Sequence, residues 1–225
     1  MLNPTTHNTS ARRASTRAFT LLELMAVVVI VGVLAAIAIP SAGSAIRERR
    51  SAAAANYIVQ QYRTARARAM GRGSAVLVRY DTGRVTVREA IAGTNATAGG
   101  CNLVTASSCT LPAGRWDTAT QYNQIDDFNP TASSSYDGVA FQFSFYTFDP
   151  TGTGANATIT SNPTLADVCF TPGGRTFART ATGQTAFSEL TAAAELRVRM
   201  ESGSAVIGAE RYMYILPNGM ARLAI

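Results

Sequence analysis

An uncharged apolar run from Leu24 to Ile46 constrains the fold of the chain more than any other feature. An α-helix rises about 1.5 Å per residue, and the hydrocarbon core of a bilayer takes about 20 helical residues, so this run is long enough to cross a membrane. A secretory signal peptide has a shorter apolar core that ends at a cleavage site, whereas this run leads directly into a further helical pattern. We therefore predict a retained transmembrane anchor.

A single acid lies at the beginning of this run. Glu23 belongs to an apolar stretch that starts abruptly at Phe19, and three arginines precede the stretch: Arg12, Arg13 and Arg17. An ionised acid at mid-bilayer costs about 2.5–3.5 kcal/mol on insertion scales, and less near an interface. Glu23 therefore needs a positively charged partner, unless it is only an acid near the interface of an ordinary anchor.

The stretch AFTLLELMAVVVIVGVLAAIAIP resembles the N-terminus of type IV prepilins and type II secretion pseudopilins. The resemblance implies that prepilin peptidase cuts between Ala18 and Phe19, removes residues 1–18 as a basic leader, and that the new amine is N-methylated. It also implies that such an amine, either the chain's own, one helical turn from Glu23, or a neighbouring subunit's, is the missing cation. In the family a neighbouring subunit supplies the amine and thereby sets the axial register during assembly.

Two residues inside the run, Gly32 and Pro40, also match the family's pattern. In a helix interior they cost about 1 and about 3 kcal/mol respectively. The resemblance implies that both belong to an assembly segment, residues 19–46, that melts locally in a fibre; a simple proline kink is the alternative. One departure is Ala18, where the family usually has Gly.

The pattern of the remaining chain predicts a helix followed by a β-rich head. Residues 47–72 continue the helix, with one apolar face made of Ala54, Ile58, Tyr62, Ala65 and Ala69. From residue 73 to 225 the apolar period becomes two, which is typical of strands. The predicted fold class is therefore α+β, a long N-terminal helix packed on an antiparallel β-sheet head.

Several segments of the head have recognisable local patterns. SAVLVRY and RVTVREA flank DTG and predict a hairpin, and VAFQFSFYTF predicts a strand. FDPTG, FTPGG and LPNG predict turns between strands. Residues 93–135 have few periodic apolar positions and predict a loop-rich insertion.

Segments beyond the anchor, YRTARARAMGRGSAVLVRY and CFTPGGRTF, look like the GspH/FimT branch of minor pseudopilins. The resemblance implies a head of two β-sheets in the periplasm and a single-pass anchor in the bacterial inner membrane. It implies a structural subunit of a type II secretion pseudopilus or a type IV pilus. The implied partners are other pilins or pseudopilins in a fibre or tip complex, prepilin peptidase, the inner-membrane assembly platform and membrane lipid.

The three cysteines favour a disulfide in an exported domain. Cys101 and Cys109 lie close together in a stretch rich in Gly, Ser and Thr, which favours a small disulfide loop between them. The alternative pairs one of them with Cys169. No CxxC motif occurs, so structural zinc is not expected.

The composition argues against an enzyme and predicts no cofactor and no metal site. The only histidine, His7, lies near the N-terminus, so the body of the protein has no histidine for a catalytic triad or a histidine-rich metal site. No carboxylate pair with a recognisable catalytic spacing is present.

DNA binding is the second reading of the sequence. The net charge is +6, and all basic residues are arginine, but three of them belong to the leader. Some members of the resembled branch bind DNA for natural transformation through a C-terminal Gly-Arg-x-Arg motif, which here reads Gly219-Met220-Ala221-Arg222 and lacks the first arginine. Arg222 and Arg211 are the candidate DNA contacts.

Overall fold

The computed structural model describes residues 19–92, 105–132, 134–147, 157–161, 163–182, 187–202 and 205–224. The chain divides into two compact units, Met1–Gly43 and Ser44–Ile225. The predicted turn at FDPTG lies outside the described residues. The other two predicted turns lie within them.

One helix precedes a set of antiparallel strands, and the predicted α+β class is confirmed. Helix α1 spans Leu21–Arg72. Gly73, with φ of +68°, follows its last residue, a backbone conformation that favours glycine at the end of a helix. The strands are β1 (Val76–Asp81), β2 (Arg84–Ala90), β3 (Tyr122–Phe128), β4 (Val139–Thr147), β5 (Ala157–Ser161), β6 (Leu165–Phe170), β7 (Thr176–Arg179), β8 (Ser188–Glu189), β9 (Ala194–Ser202), β10 (Ala205–Ile215) and β11 (Ala221–Ala224). Short 3₁₀ helices cover Arg115–Asp117, Ala119–Gln121, Pro130–Ala132 and Ser134–Tyr136.

The strands form two antiparallel sheets within the second unit. The six-stranded sheet has the order β3-β2-β1-β6-β7-β8, and the five-stranded sheet has the order β11-β10-β9-β4-β5. Their facing sides pack together with the part of α1 that we call the stem, residues 47–72, in one apolar core. Ile58 and Tyr62 are completely buried there, as the one-sided pattern of the stem predicts.

The local patterns of the head give the predicted elements. β1 and β2 form a hairpin, and its turn residues Thr82 and Gly83 both have positive φ, as a tight two-residue hairpin turn requires. The four-residue turns TPGG, within FTPGG, and LPNG each close with a hydrogen bond from the fourth residue to the first. Gly174 N–H donates to the Thr171 carbonyl, and Gly219 N–H donates to the Leu216 carbonyl.

A second, smaller core covers the opposite side of the six-stranded sheet. It contains Leu77 and Cys169 from the sheet together with Cys109 and Trp116 from the predicted insertion. The insertion also contributes β3, which pairs with β2 at the edge of the sheet. Residues Tyr122–Phe128 are therefore a strand inside the segment that the sequence describes as loop-rich.

Candidate functional site

The first unit has an apolar helix surface that its other described residues leave almost entirely exposed. Its large apolar side chains from Phe19 to Ile37 are 53% to 80% exposed. Among the described residues, α1 is one helix that is long and apolar enough to cross a membrane. Such a surface is stable only against lipid or against other apolar helices.

Local geometry places Glu23 in the first turn of this helix. The Thr20 hydroxyl accepts a hydrogen bond from the Glu23 backbone N–H at 3.2 Å, so Thr20 is the N-cap and Glu23 is the third helical residue. This is the Ser/Thr-x-x-Glu spacing of a capping box. The TLLE motif, Thr20 to Glu23, carries this capping signal. The sequence analysis considered only a cationic partner for Glu23 and missed the N-cap at Thr20.

The other predicted processing and assembly residues that the structure describes have few contacts within the first unit. Ala18 lies outside the described residues, and Phe19 is 76% exposed. A Cβ added to Gly32 would meet no atom within 4 Å, so packing within this unit does not require a glycine there. The helical backbone continues through Pro40.

A shallow groove in the second unit separates the stem from the β10–β11 turn. The Arg63 Nε donates to the Ala221 carbonyl and the Arg66 Nε to the Asn218 carbonyl, each at 3.0 Å. The groove has a volume of about 260 Å³ and is lined by these arginines and by residues 219–222. Arg222, a predicted DNA contact, therefore lies beside two further cations.

The turn itself depends on Gly219. Its φ is +77°, and an added Cβ would lie 2.8 Å from the Thr176 hydroxyl oxygen and 3.0 Å from Arg66 Cδ. A larger residue would strain the turn and displace the Arg66 side chain.

Arg211, the other predicted DNA contact, lies elsewhere and is engaged. It donates to Glu48 at 2.9 Å and to the Ser51 hydroxyl at 2.8 Å, both on the stem. The structure therefore does not bring Arg211 into the groove with Arg222. Arg211 instead joins strand β10 to the stem.

A buried acid fixes the other end of the stem. Glu89 on β2 is 2% exposed and accepts hydrogen bonds from Arg68 at 2.8 Å and from the Ser74 hydroxyl at 2.8 Å, with Arg72 2.7 Å away. Burial alone would raise the pKa of Glu89, but the hydrogen bonds from Arg68 and Ser74 and the charges of Arg68 and Arg72 hold it below its ordinary value.

An arginine–aspartate network lies under the second core. Asp167 is fully buried and accepts hydrogen bonds from Arg79 and Arg179, each at 2.7 Å. Both arginines also bind Asp117, from the insertion. Burial opposes ionisation of Asp117, yet the hydrogen bonds from Arg179 and Arg79 leave its pKa below the ordinary value. Together these contacts attach the insertion to the sheet.

The favoured cysteine pairing is wrong. Cys109 forms a disulfide with Cys169, with 6.0 Å between their Cα atoms. The insertion folds over the outer side of the six-stranded sheet, where Cys169 on β6 meets it, and a cysteine joins only one partner. A Cys101–Cys109 bond is therefore not formed, and Cys101 lies outside the described residues. Proximity in sequence did not reveal this pairing.

The comparisons with known proteins identify one motif. The family model described as the prokaryotic N-terminal methylation motif matches residues 13–39. No curated protein and no solved structure matches the chain. Within the described residues, no group of three or more metal-ligating side chains is found. The motif gives the N-terminal segment a type IV prepilin-like pattern, and together with the apolar helix it fits anchoring in the inner membrane.

Proposed function

We propose that the chain is a minor pilin or pseudopilin, a structural subunit of a type II secretion pseudopilus or type IV pilus. The observation that carries the proposal is the methylation motif over residues 13–39, which includes the exposed apolar part of helix α1. In this proposal prepilin peptidase cuts between Ala18 and Phe19, the new amine is methylated, and the inner-membrane assembly platform adds the subunit to other pilins. The α+β head agrees with pilin-type heads.

Glu23 has two distinct roles in this proposal. As the third helical residue, it occupies the capping-box position, which Glu and Gln both suit. Its assembly role is the pairing with the amine at Phe19 of a neighbouring subunit, which lowers the cost of an ionised acid in apolar surroundings. Charge is essential only for the second role.

The experiment that tests the proposal separates these roles. Glu23→Gln keeps the size and the hydrogen-bonding capacity of the side chain, whereas Glu23→Ala removes both. We expect both variants to insert into the inner membrane at the normal level and both to be depleted from sheared fibres, because neither can pair with an amine. Immunoblots of membrane and fibre fractions measure this. Normal incorporation of Glu23→Gln would contradict the pairing role.

The disulfide supports a periplasmic location for the head. Disulfides form and persist in oxidising compartments such as the bacterial periplasm and are rare in the cytosol. Cys109–Cys169 is buried and joins the insertion to strand β6 of the head. A head on the periplasmic side of a single-pass anchor is consistent with that chemistry.

The groove beside Arg222 favours DNA binding as a second candidate function. The first arginine of the resembled motif is missing, but Arg63 and Arg66 contribute cations to the same groove. Among the described residues, none of these three arginines forms an ion pair with an acid. Clustered free cations are what phosphate binding requires, because neutralising phosphates releases condensed counterions.

A charge-matched binding assay tests this candidate. The Arg63→Gln/Arg66→Gln variant is compared with Arg84→Gln/Arg175→Gln, which removes two exposed arginines elsewhere in the head. For DNA binding in the groove, we expect only the first variant to lose binding in a mobility-shift titration and to reduce its salt dependence. No shift of the unsubstituted protein at low salt would exclude this function.

A further inference from the structure

Contacts along the stem fix the direction of strand β10. Its C-terminal turn meets the stem at Arg66, through the Asn218 carbonyl. Nearer the start of the strand, Arg211 binds the Glu48 carboxylate. Gly208 lies beside the same carboxylate, since a Cβ added to Gly208 would be 3.8 Å from Glu48 Oε2. Strand β10 therefore runs alongside the stem, and its first residues lie at the end of the stem where the chain leaves the apolar run.

The first residues of β10 form an exposed apolar surface. Residues 205–209 read AVIGA and carry no charge. Val206 is 46% exposed, and Ala205 and Ala209 are exposed as well. Strand β11 pairs only with Tyr212–Ile215, so among the described strands this part of β10 pairs with β9 alone. Soluble heads seldom leave such a strand uncovered.

A cationic cluster lies at the same end of the stem. Arg47, Arg49 and Arg50 follow the last residue of the apolar run, Ile46, and in the described part of the chain none of the three forms an ion pair. The one acid between them, Glu48, is already neutralised by Arg211. Three cations without an ion pair among the described residues thus lie on the stem near the apolar strand end, directly after the apolar run in the sequence.

We propose that the start of β10 and these arginines form a membrane-facing foot that rests on an anionic phospholipid surface. This inference rests on the proposed function only in requiring a membrane-anchored chain. Apolar residues sink about 5–10 Å into the boundary between headgroups and acyl chains, and arginines beside them bind the lipid phosphates.

Depth-dependent fluorescence quenching tests the foot on the full-length chain. The chain is reconstituted into phosphatidylcholine vesicles with or without phosphatidylglycerol, using lipids brominated at shallow acyl positions for the foot and at deep acyl positions for the anchor. Val206→Trp reports the foot, and Met220→Trp, also exposed but at the other end of β10, is its matched control. The native Trp116 is buried and supplies the background. Val29→Trp reports insertion of the anchor.

The expected result is that Val206→Trp is quenched about twofold more than Met220→Trp in vesicles with phosphatidylglycerol, since its depth falls within the interfacial layer. Changing Arg47, Arg49 and Arg50 to Gln should abolish this difference. A control pair, Arg84 and Arg175 to Gln, removes two exposed arginines elsewhere in the head and should leave it intact.

Three results would overturn the inference. Equal quenching of Val206→Trp and Met220→Trp, with Val29→Trp quenched, removes the foot and leaves the anchor and the proposed function standing. Absence of quenching at Val29→Trp removes the anchor, and with it both proposals. If Val206→Trp emission changed with the protein-to-lipid ratio but was not quenched by brominated lipid, a second copy of the chain, rather than lipid, would cover the strand.

Discussion

The N-terminal and C-terminal halves of helix α1 differ in what covers their apolar side chains. From Leu24 to Ala38 the helix is apolar around its whole circumference and nearly all of its side chains are exposed. Within the stem, one face is apolar and buried against the two sheets, whereas most residues of the opposite face are polar or small and exposed. The first pattern requires a partner from outside the chain, and the second is satisfied by the chain itself.

This contrast separates folding from assembly along one continuous element. Substitutions in the stem should change the stability of the head, because they alter its core. Substitutions in the assembly segment should change membrane and fibre behaviour and leave the stability of the head unchanged. Each of the following predictions tests whether that division is correct.

The largest expected effect compares two isoleucines. Ile58→Ala removes a completely buried side chain from the stem and should lower the free energy of unfolding of the head by about 2–5 kcal/mol. Ile30→Ala, at a position 59% exposed, should change it by less than about 0.5 kcal/mol. Denaturation of the detergent-solubilised chain, followed by Trp116 fluorescence, measures both. Equal losses in the two variants would show that the division is false.

A smaller effect concerns the acid at the end of the stem. Glu89→Gln should cost about 1–3 kcal/mol at neutral pH, because Arg68 and Arg72 lose their charged partner. The folded-state pKa of Glu89 lies below its ordinary value of 4.5. Its contribution is therefore present above that value and is lost as the pH falls through the folded pKa.

The corresponding measurement is the free energy of unfolding as a function of pH. The difference between the unsubstituted chain and Glu89→Gln should shrink on acidification below pH 4.5. Both proteins should still weaken in acid, because the pKa of Asp117 is also held below its ordinary value. A difference that stays constant across this range would rule out a charged Glu89 as the origin of the effect.

The smallest expected effect is at Tyr62. Its ring fills the core, but its hydroxyl is buried and has no hydrogen-bond partner among the described residues. Burial and the charge of Asp167 raise the pKa of this hydroxyl far above its ordinary value. Tyr62→Phe should therefore leave the head as stable or raise its stability by up to about 1 kcal/mol. A loss in the same denaturation assay would reveal a partner for the hydroxyl.

The sequence predicts well those features that depend on neighbouring residues. The β1–β2 hairpin follows from DTG between two alternating segments, and the turns at FTPGG and LPNG follow from proline and glycine at fixed positions. The buried face of the stem follows from its helical period. In each case the deciding interactions are only a few residues apart.

Features that join distant residues were not predictable in the same way. Cys109 and Cys169 are separated by 60 positions, and their pairing depends on how the insertion lies on the sheet. The groove is similar, since Arg63 and the Ala221 carbonyl are 158 positions apart. No local pattern encodes such contacts. The sequence could therefore identify Arg222 as a candidate DNA contact but could not predict which cations lie beside it.

Mass analysis of the N-terminal peptide from membrane-extracted protein tests the central claim most directly. The account predicts a mature chain that starts at Phe19 with one methyl group on its amine, because only then does Glu23 gain a cation within the apolar segment. An intact Met1, with Arg12, Arg13 and Arg17 still attached, would contradict it. Glu23 would then be an uncompensated acid in an ordinary anchor.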